Sequence, residues 1–541
     1  MSAIFQESQP ISELAINTLS INLVAAAEAT VVPDTEAVAE GSNVNVTIAS
    51  LFETTVPAAD INIDKIKITS HDEENQLSIH HYLHCSSESE EWIKEYRGIV
   101  VHHSSGSKKD IELKISDSES VVCKTFGFTP EFTTSQRDAI EKHLPSSLFQ
   151  EKTGDTILKA MSYNSSPLEE NLTIARFYDS EEGALIRLFK FNNRWHISTH
   201  KKLDAFKSRW GCMESFGDMF IDALVYETEH GSLKDIIKVE DTEDIFDAFT
   251  ATLNPSLNYT FLVRNTINNR IVCQAPAVPT IYFTGAFDKG THRYIDINDT
   301  GIQRPNEVKF TSLTELLEYV NNLDSNDKQG IIVYIMNFGN AEEGNDIKQI
   351  KILNPNYIKF SAIRGNDPNL KFRYLQLRQN CDVTNHGELS LLYQMYPEHN
   401  DMFRDCEDTL EKIVIKITND YRSRYINHDF VVAPRTHFKI MNKIHEWHKS
   451  DRANNRISVD IVCELVDSSD ASTLNDLIRE YNDEENNIPN VAPHSSTTAH
   501  LSTVAHPSRS HGKTEKKWRP IRQQAQSSKF LDAVKKSIRT E

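Results

Sequence analysis

Ser180-Glu181-Glu182-Gly183-Ala184-Leu185-Ile186 is the stretch on which the reading of this chain turns. It runs into residues 184–191, rich in Leu, Ile and Phe, and after Asn192-Asn193 into a second β-rich run at 194–199. Two such runs joined by a pair of asparagines read as a hairpin, because Asn tolerates the positive φ of a two-residue turn. Working outward, similar runs recur at 96–103, 111–116, 258–264, 280–283 and 330–336. Helical spacing lies between them, in Phe216, Met219, Phe220 and Leu224, and again in Leu313, Leu316, Leu317 and Val320 behind a Ser312…Glu315 capping box. Antiparallel strands mixed with helices predict an α+β domain over residues 65–365.

From residue 366 the period changes. Phe403, Cys406, Leu410, Ile413, Ile417 and Tyr421 trace one helical stripe. Phe438, Met441 and Ile444 trace another, and Leu474, Leu477, Ile478 and Tyr481 a third. An all-α domain over 366–485 follows, of ordinary domain size.

Length and composition bound the rest. The 541 residues allow two to four domains; hydrophobic residues make up 39% and charged ones 25%, with a mean hydropathy of −0.47. No run approaches 18 apolar residues, which excludes a membrane-spanning helix and leaves no membrane among the expected partners. The seven cysteines lie far apart without a CxxC pair, so a cysteine zinc module and a dense disulfide framework are excluded. That usage predicts an intracellular, reducing compartment.

The net charge of −20 is unevenly spread. Residues 1–64 carry nine acidic residues and no Lys or Arg, which argues against a secretory or mitochondrial leader and predicts a disordered acidic arm. Residues 486–541 read as a disordered tail that turns basic at Lys516-Lys517-Trp518-Arg519, with one short helix near 530–538. The tail reads either as a nucleic-acid contact or as a solubilising terminus. The acidic middle argues against broad coating of nucleic acid but leaves room for a local basic groove.

Common catalytic signatures are absent. His445-Glu446-Trp447-His448 spaces its histidines at i and i+3 where a zincin needs i and i+4, so two ordinary surface histidines are expected. Neighbouring His102 and His103 would point to opposite faces of a strand. There is no GxxxxGK[ST], GxGxxG or GxSxG, which removes P-loop NTPases, Rossmann enzymes and α/β-hydrolases from consideration.

An ordered set of weaker elements is more informative. Glu95-Tyr96-Arg97-Gly98-Ile99-Val100 precedes Val122-Cys123-Lys124-Thr125-Phe126-Gly127, then Ser180–Ile186, then the run 195–199 leading to His200-Lys201-Lys202. Asn269-Arg270-Ile271-Val272, Gln329-Gly330-Ile331-Ile332-Val333 and Lys348-Gln349-Ile350-Lys351 complete it. In order and spacing, over residues 65–480, the set resembles the phage tRNA-repair class of ATP-dependent RNA ligases, members of the covalent nucleotidyltransferases. The resemblance implies a nucleotidyltransferase domain followed by a helical one, with ATP and Mg2+ as cofactors if active and RNA ends as partners. In that chemistry a lysine captures AMP, carboxylates hold magnesium and ribose, and further lysines neutralise phosphate charge.

Against that pattern the chain departs where charge matters most. Matching the Lys-x-Asp-Gly nucleophile motif through Gly183 puts Ser180 at the lysine and Glu182 at the acid. Gln329 stands where a Glu is expected, and Gln349-Ile350-Lys351 replaces Lys-x-Lys. A serine hydroxyl needs a base to lose its proton, and deleting a nucleophile costs about 10⁶ in rate in worked cases. The reading is therefore a pseudoenzyme that binds nucleotide or RNA without a nucleophile, with Arg97, Lys124, Gly183, Arg270 and Lys351 as nucleotide or phosphate contacts. Lys201, Lys202, Lys207 and Arg209, interleaved with Trp195, Phe206 and Trp210, would suit single-stranded RNA. A solvated connection explains the same stretch. Arg364-Gly365-Asn366 and Lys371-Phe372-Arg373-Tyr374 read as a hinge or a further contact. Two alternatives stay open: an active ligase whose lysine comes from elsewhere, and a scaffold that keeps only the fold.

Overall fold

The computed structural model describes residues 66–82, 97–103, 121–149, 172–237, 244–266, 271–338, 345–379 and 387–487. The acidic arm, Arg270, the run at 111–116 and the tail beyond 487 lie outside the described residues.

Strands β1 (Ile66–Asp72), β2 (Leu77–Tyr82), β3 (Arg97–His102) and β4 (Val121–Cys123) form an antiparallel sheet in that order. After β5 (Glu131–Thr133) and helix α1 (Arg137–His143) come β6 (Leu172–Ser180), β7 (Ala184–Phe191) and β8 (Arg194–Ser198). Helices α2 (Phe216–Glu229) and α3 (Ile245–Ala251) lead to β9 (Leu257–Arg264), β10 (Thr280–Asp288), β11 (Tyr294–Ile295) and β12 (Glu307–Val308). Then follow α4 (Leu313–Asn322), β13 (Gly330–Phe338) and β14 (Asn345–Leu353). A second sheet has the order β11-β10-β9-β7-β8 and a third β12-β6-β13-β14-β5. Among the described residues the strands pair antiparallel, as the α+β expectation holds, with β14 and the short β5 adding one parallel pairing.

Alternation along the strands sets the layers. On β13, Ile331, Val333 and Ile335 pack with Leu316, Leu317 and Val320 of α4, while Tyr334 and Met336 join Tyr178, Phe287 and Tyr294. This aromatic layer joins the second and third sheets. Behind the second sheet, Phe220 of α2 and Phe249 of α3 bury against Ile186, Leu188 and Phe261.

The hairpin expected at Asn192-Asn193 joins β7 to β8, both asparagines having positive φ (48° and 59°) and Phe191 pairing with Arg194. The capping box expected at α4 is half made. Ser312 Oγ accepts from the Glu315 N–H, but the Glu315 carboxylate is taken by the backbone and hydroxyl of Thr311. The reciprocal box occurs instead at α2, between Ser215 and Asp218.

Helical structure begins earlier than residue 366, with α5 (Pro355–Arg364), followed by α6 (Leu370–Gln379), α7 (Gly387–Met395), α8 (Asn400–Tyr421), α9 (Arg435–Ser450), α10 (Val459–Asp467) and α11 (Ala471–Asn487). Asn354 starts α5 by accepting from the Asn356 and Tyr357 amides, and its Nδ2 donates to Val320 O and Leu323 O at the end of α4. The three expected stripes face one core, with Phe403, Leu410, Ile417, Met441, Ile444, Leu474 and Leu477 buried together. At its centre Arg378 forks onto Glu407 and also reaches Asp467. Helix α5 serves both layers: Tyr357 packs with Val272 and Cys273, and Ile363 joins the helical core. Among the described residues no helix is long and apolar enough to cross a membrane.

Candidate functional site

The segment Ser180–Gly183 carries the chain from β6 in the third sheet to β7 in the second. It crosses tightly: a Cβ at Gly183 would lie 2.6 Å from the Val263 carbonyl oxygen of β9. Ser180 pairs in register with Gly330, so the Gln329-Gly330 element lies beside it. Each side chain of the crossing has a distinct commitment.

Ser180 is 2% exposed and its hydroxyl donates to Gln329 Oε1 at 3.2 Å. An amide oxygen cannot take the proton, so this contact does not activate the hydroxyl. The same oxygen receives Lys351 Nζ at 3.2 Å, and Gln329 Nε2 donates to the Tyr357 hydroxyl at 2.9 Å. An ammonium group therefore reaches the cleft beside Ser180, from β14 rather than from the crossing itself. Glu131 lies 3.8 Å from Lys351 Nζ, and burial holds the Lys351 pKa below its ordinary value against the opposing pull of that carboxylate. The other nearby lysine, Lys328, is paired with the fully buried Asp179.

Glu181 pairs with Arg264 at 2.5 Å, and burial pushes its carboxyl pKa up while Arg264 pulls it down. Glu182 accepts the amides of Ile271 (2.6 Å), Val272 (2.9 Å) and Cys273 (3.1 Å), and the Tyr357 hydroxyl at 3.3 Å. From the helical region the Tyr396 hydroxyl donates to Ile271 O, so the 271–273 segment is held from both sides.

Two cavities flank the crossing, of about 530 and about 500 Å3, both walled by Tyr82, Arg97, Gly183 and Leu185. The second holds Ser180, Glu181, Gln329, Gln349 and Lys351. The first has a cationic part, with Arg97 and Lys201 beside the imidazoles of His81 and His200, and an aromatic part with Trp210 and Phe216. The cationic part is built from inside. Arg187, fully buried on β7, donates to Gly98 O and to Thr199 O (2.8 Å), fixing the backbone beside Arg97 and beside His200-Lys201. Gly98 has φ +70°, and a Cβ there would lie 2.6 Å from His200 O. Burial and the nearby Lys201, Arg97 and Arg187 hold His81 down at about 4, and burial holds His200 well below its usual range. Both imidazoles are neutral at pH 7.

The structure gathers Arg97, Gly183, Ser180, Glu182, Gln329 and Lys351 around the crossing, and brings Lys201 to the first cavity. Lys124 follows β4 and lines neither cavity; Arg270 lies outside the described residues. Lys202 and Arg209 are exposed, and Lys207 pairs with Asp204 on the surface. Trp195 packs against the core behind the second sheet, so the aromatic and basic stretch 195–210 splits between core, surface and cavity. His445 stacks on Tyr425, and His448 Nδ1 lies 2.6 Å from the Asn455 carbonyl oxygen. Sequence reasoning missed His81, Arg187, Arg264, Tyr357 and Tyr396, which touch the site through contacts remote along the chain.

The carboxylates here do not fit a magnesium site. Asp179, Glu181 and Glu182 spend their oxygens on Lys328, Arg264 and backbone amides. Among the described residues no group of three His, Cys, Asp or Glu is placed to hold a metal ion.

This chain is similar to a viral immediate-early protein. It is 29% identical over 345 residues to the immediate-early protein ICP-46 homolog of Invertebrate iridescent virus 6, covering 60% of this chain and 70% of that one. No protein-family model matches. Among solved structures, an ATP-dependent DNA ligase from Aquifex aeolicus aligns at TM-score 0.29 and 8% identity, over 62% of this chain and 68% of that one. An archaeal ATP-dependent RNA ligase aligns at TM-score 0.27 and 9% identity, over 61% and 68%. At these scores the alignments give no residue a role.

Proposed function

We propose that this chain is a nucleotidyltransferase-fold protein that holds a nucleotide, or the 5′-phosphate end of an RNA, without capturing it covalently at the expected position. One observation supports the reading: two cations suited to phosphate, Arg97 and Lys351, line the cleft beside Ser180, while the hydroxyl at the position expected of the nucleophile is tied to an amide. Arg97, between the cavities, and Lys351 would hold the phosphates, and Lys201 would meet a further phosphate in the first cavity. Bound ATP would supply the phosphates and base; the residues supply charge, shape and exclusion of water. The division into a domain at 65–365 and a helical domain at 366–485 belongs to the same proposal.

A second reading has its own observation. Lys351 Nζ lies in the cleft with its pKa depressed by burial, the condition a lysine nucleophile needs. In that reading its neutral amine attacks the α-phosphorus of ATP, a P–N bond forms, the bond from that phosphorus to the bridging oxygen breaks, pyrophosphate leaves, and the nitrogen gives up its extra proton to water.

Incubation with ATP labelled at the α-phosphate, with and without magnesium, separates the two. Non-covalent binding predicts no acid-labile protein label, a rise in melting temperature with ATP, and retained binding in Lys351→Arg. A label that survives denaturation and vanishes in Lys351→Arg would establish the second reading. Absence of binding to ATP and to 5′-phosphorylated single-stranded RNA would leave a scaffold.

A further inference from the structure

The junction after α5 enters the first cavity, although it belongs to the helical part of the chain. Asn366 lines the cavity mouth and is exposed, and its amide makes no hydrogen bond among the described residues. Beside it Arg364, 2% exposed, donates to Asp367 O at 2.5 Å and lies 5.2 Å over the ring of Trp210. Arg364 has no carboxylate partner among the described residues, and its buried Nε makes no hydrogen bond. Its place is fixed by the indole and by its own turn. Arg373 of α6 locks that turn by donating to Ile363 O and Ala362 O. The same Trp210 ring, with Phe216 and Met219 of α2, walls the aromatic part of the cavity.

We propose that this junction reads the base of the bound nucleotide, with Trp210, braced by Arg364, stacking an adenine and Asn366 hydrogen-bonding its edge. The inference rests on the nucleotide reading above and deepens it. A flat aromatic wall, an amide with its donor and acceptor both uncommitted, and a cationic part in one 530 Å3 cavity match the three portions of a nucleotide. Adenine presents a donor beside an acceptor, the pattern a carboxamide pairs with twice. Asn265, a second amide of the same wall, is already engaged with Glu214 at 3.4 Å. The helical region thereby contributes specificity directly.

The test measures binding of ATP, purine riboside triphosphate (which lacks the 6-amino group) and inorganic tripolyphosphate to the full chain by calorimetry, in the unaltered protein and in Asn366→Leu, Trp210→Leu, Trp210→Phe and Gln274→Leu. Asn366 is exposed, so its replacement leaves folding intact. The expected result is a preference for ATP over the purine analogue that falls about ten-fold in Asn366→Leu while tripolyphosphate binding holds. Trp210→Leu should weaken both nucleotides and Trp210→Phe should restore them. The inference is overturned if ATP and the purine analogue bind equally to the unaltered chain, if Asn366→Leu keeps the preference, or if Gln274→Leu removes it instead. If neither ATP nor tripolyphosphate binds the unaltered chain, the nucleotide reading itself fails, and this inference with it.

Discussion

Replacing Glu182 with Gln separates an anchoring carboxylate from a metal-holding one. The carboxylate accepts three backbone amides at 2.6, 2.9 and 3.1 Å and a tyrosine hydroxyl at 3.3 Å. Glutamine has nearly the same shape but one acceptor oxygen, and its amide nitrogen must then face at least one backbone N–H. Orphaning that buried donor costs about 1–3 kcal/mol. The bonds that survive drop from charge-assisted to neutral strength, roughly half. Together these predict a loss of about 3–5 kcal/mol, which at roughly 1–1.5 °C per kcal/mol for a chain this large lowers the melting temperature by about 3–7 °C. Because Ile271 and Cys273 wall the first cavity, nucleotide affinity should fall too, and equally with and without magnesium. Urea unfolding and calorimetric ATP titration in both buffers read these effects. An unchanged unfolding midpoint, with loss confined to the magnesium-dependent part of binding, would refute the anchoring argument.

Two further outcomes follow from buried charge. Glu407→Ala strips Arg378 of its bidentate partner inside the helical core; breaking a buried pair this way should cost about 3 kcal/mol in chemical unfolding, and a change under 1 kcal/mol would contradict it. His80 is buried, with burial and nearby His103 holding its pKa down at about 4 against 6.5. Between those values the unfolded chain binds a proton that the folded chain does not, so stability falls as pH drops through the window, by up to about 3 kcal/mol for this one group. His81 and His200 contribute over the same window, so His80→Gln should shrink the difference in urea-unfolding stability between pH 7 and pH 5 by about 2 kcal/mol without abolishing it; an unchanged difference would exclude His80 as a source.

What was legible in the sequence was local. Runs rich in Ile, Val, Leu, Phe and Tyr gave β7, β9 and β13, paired asparagines gave the hairpin, and the 3.6-residue stripes gave α2, α4, α8 and α9, because each signal lies within one element. β6 was not legible. Its Arg176 and Asp179 break the apolar pattern, and both find partners 120 or more residues away, in Asp296, Glu307 and Lys328. The short β5 and the cap of α5 likewise depend on β14 and on the end of α4.

The candidate site divides in the same way. Reading the chain singled out Ser180–Gly183 and showed that no lysine stands in it, since residue identity at a position needs no fold. Only tertiary structure decided that Lys351 enters that cleft, that Glu182 is consumed by backbone amides, and that Asn366 reaches a cavity built mostly by another part of the chain. The physical reason is range. Propensity and periodicity act within a few residues, whereas the charge state and availability of a side chain are set by whatever the fold packs against it.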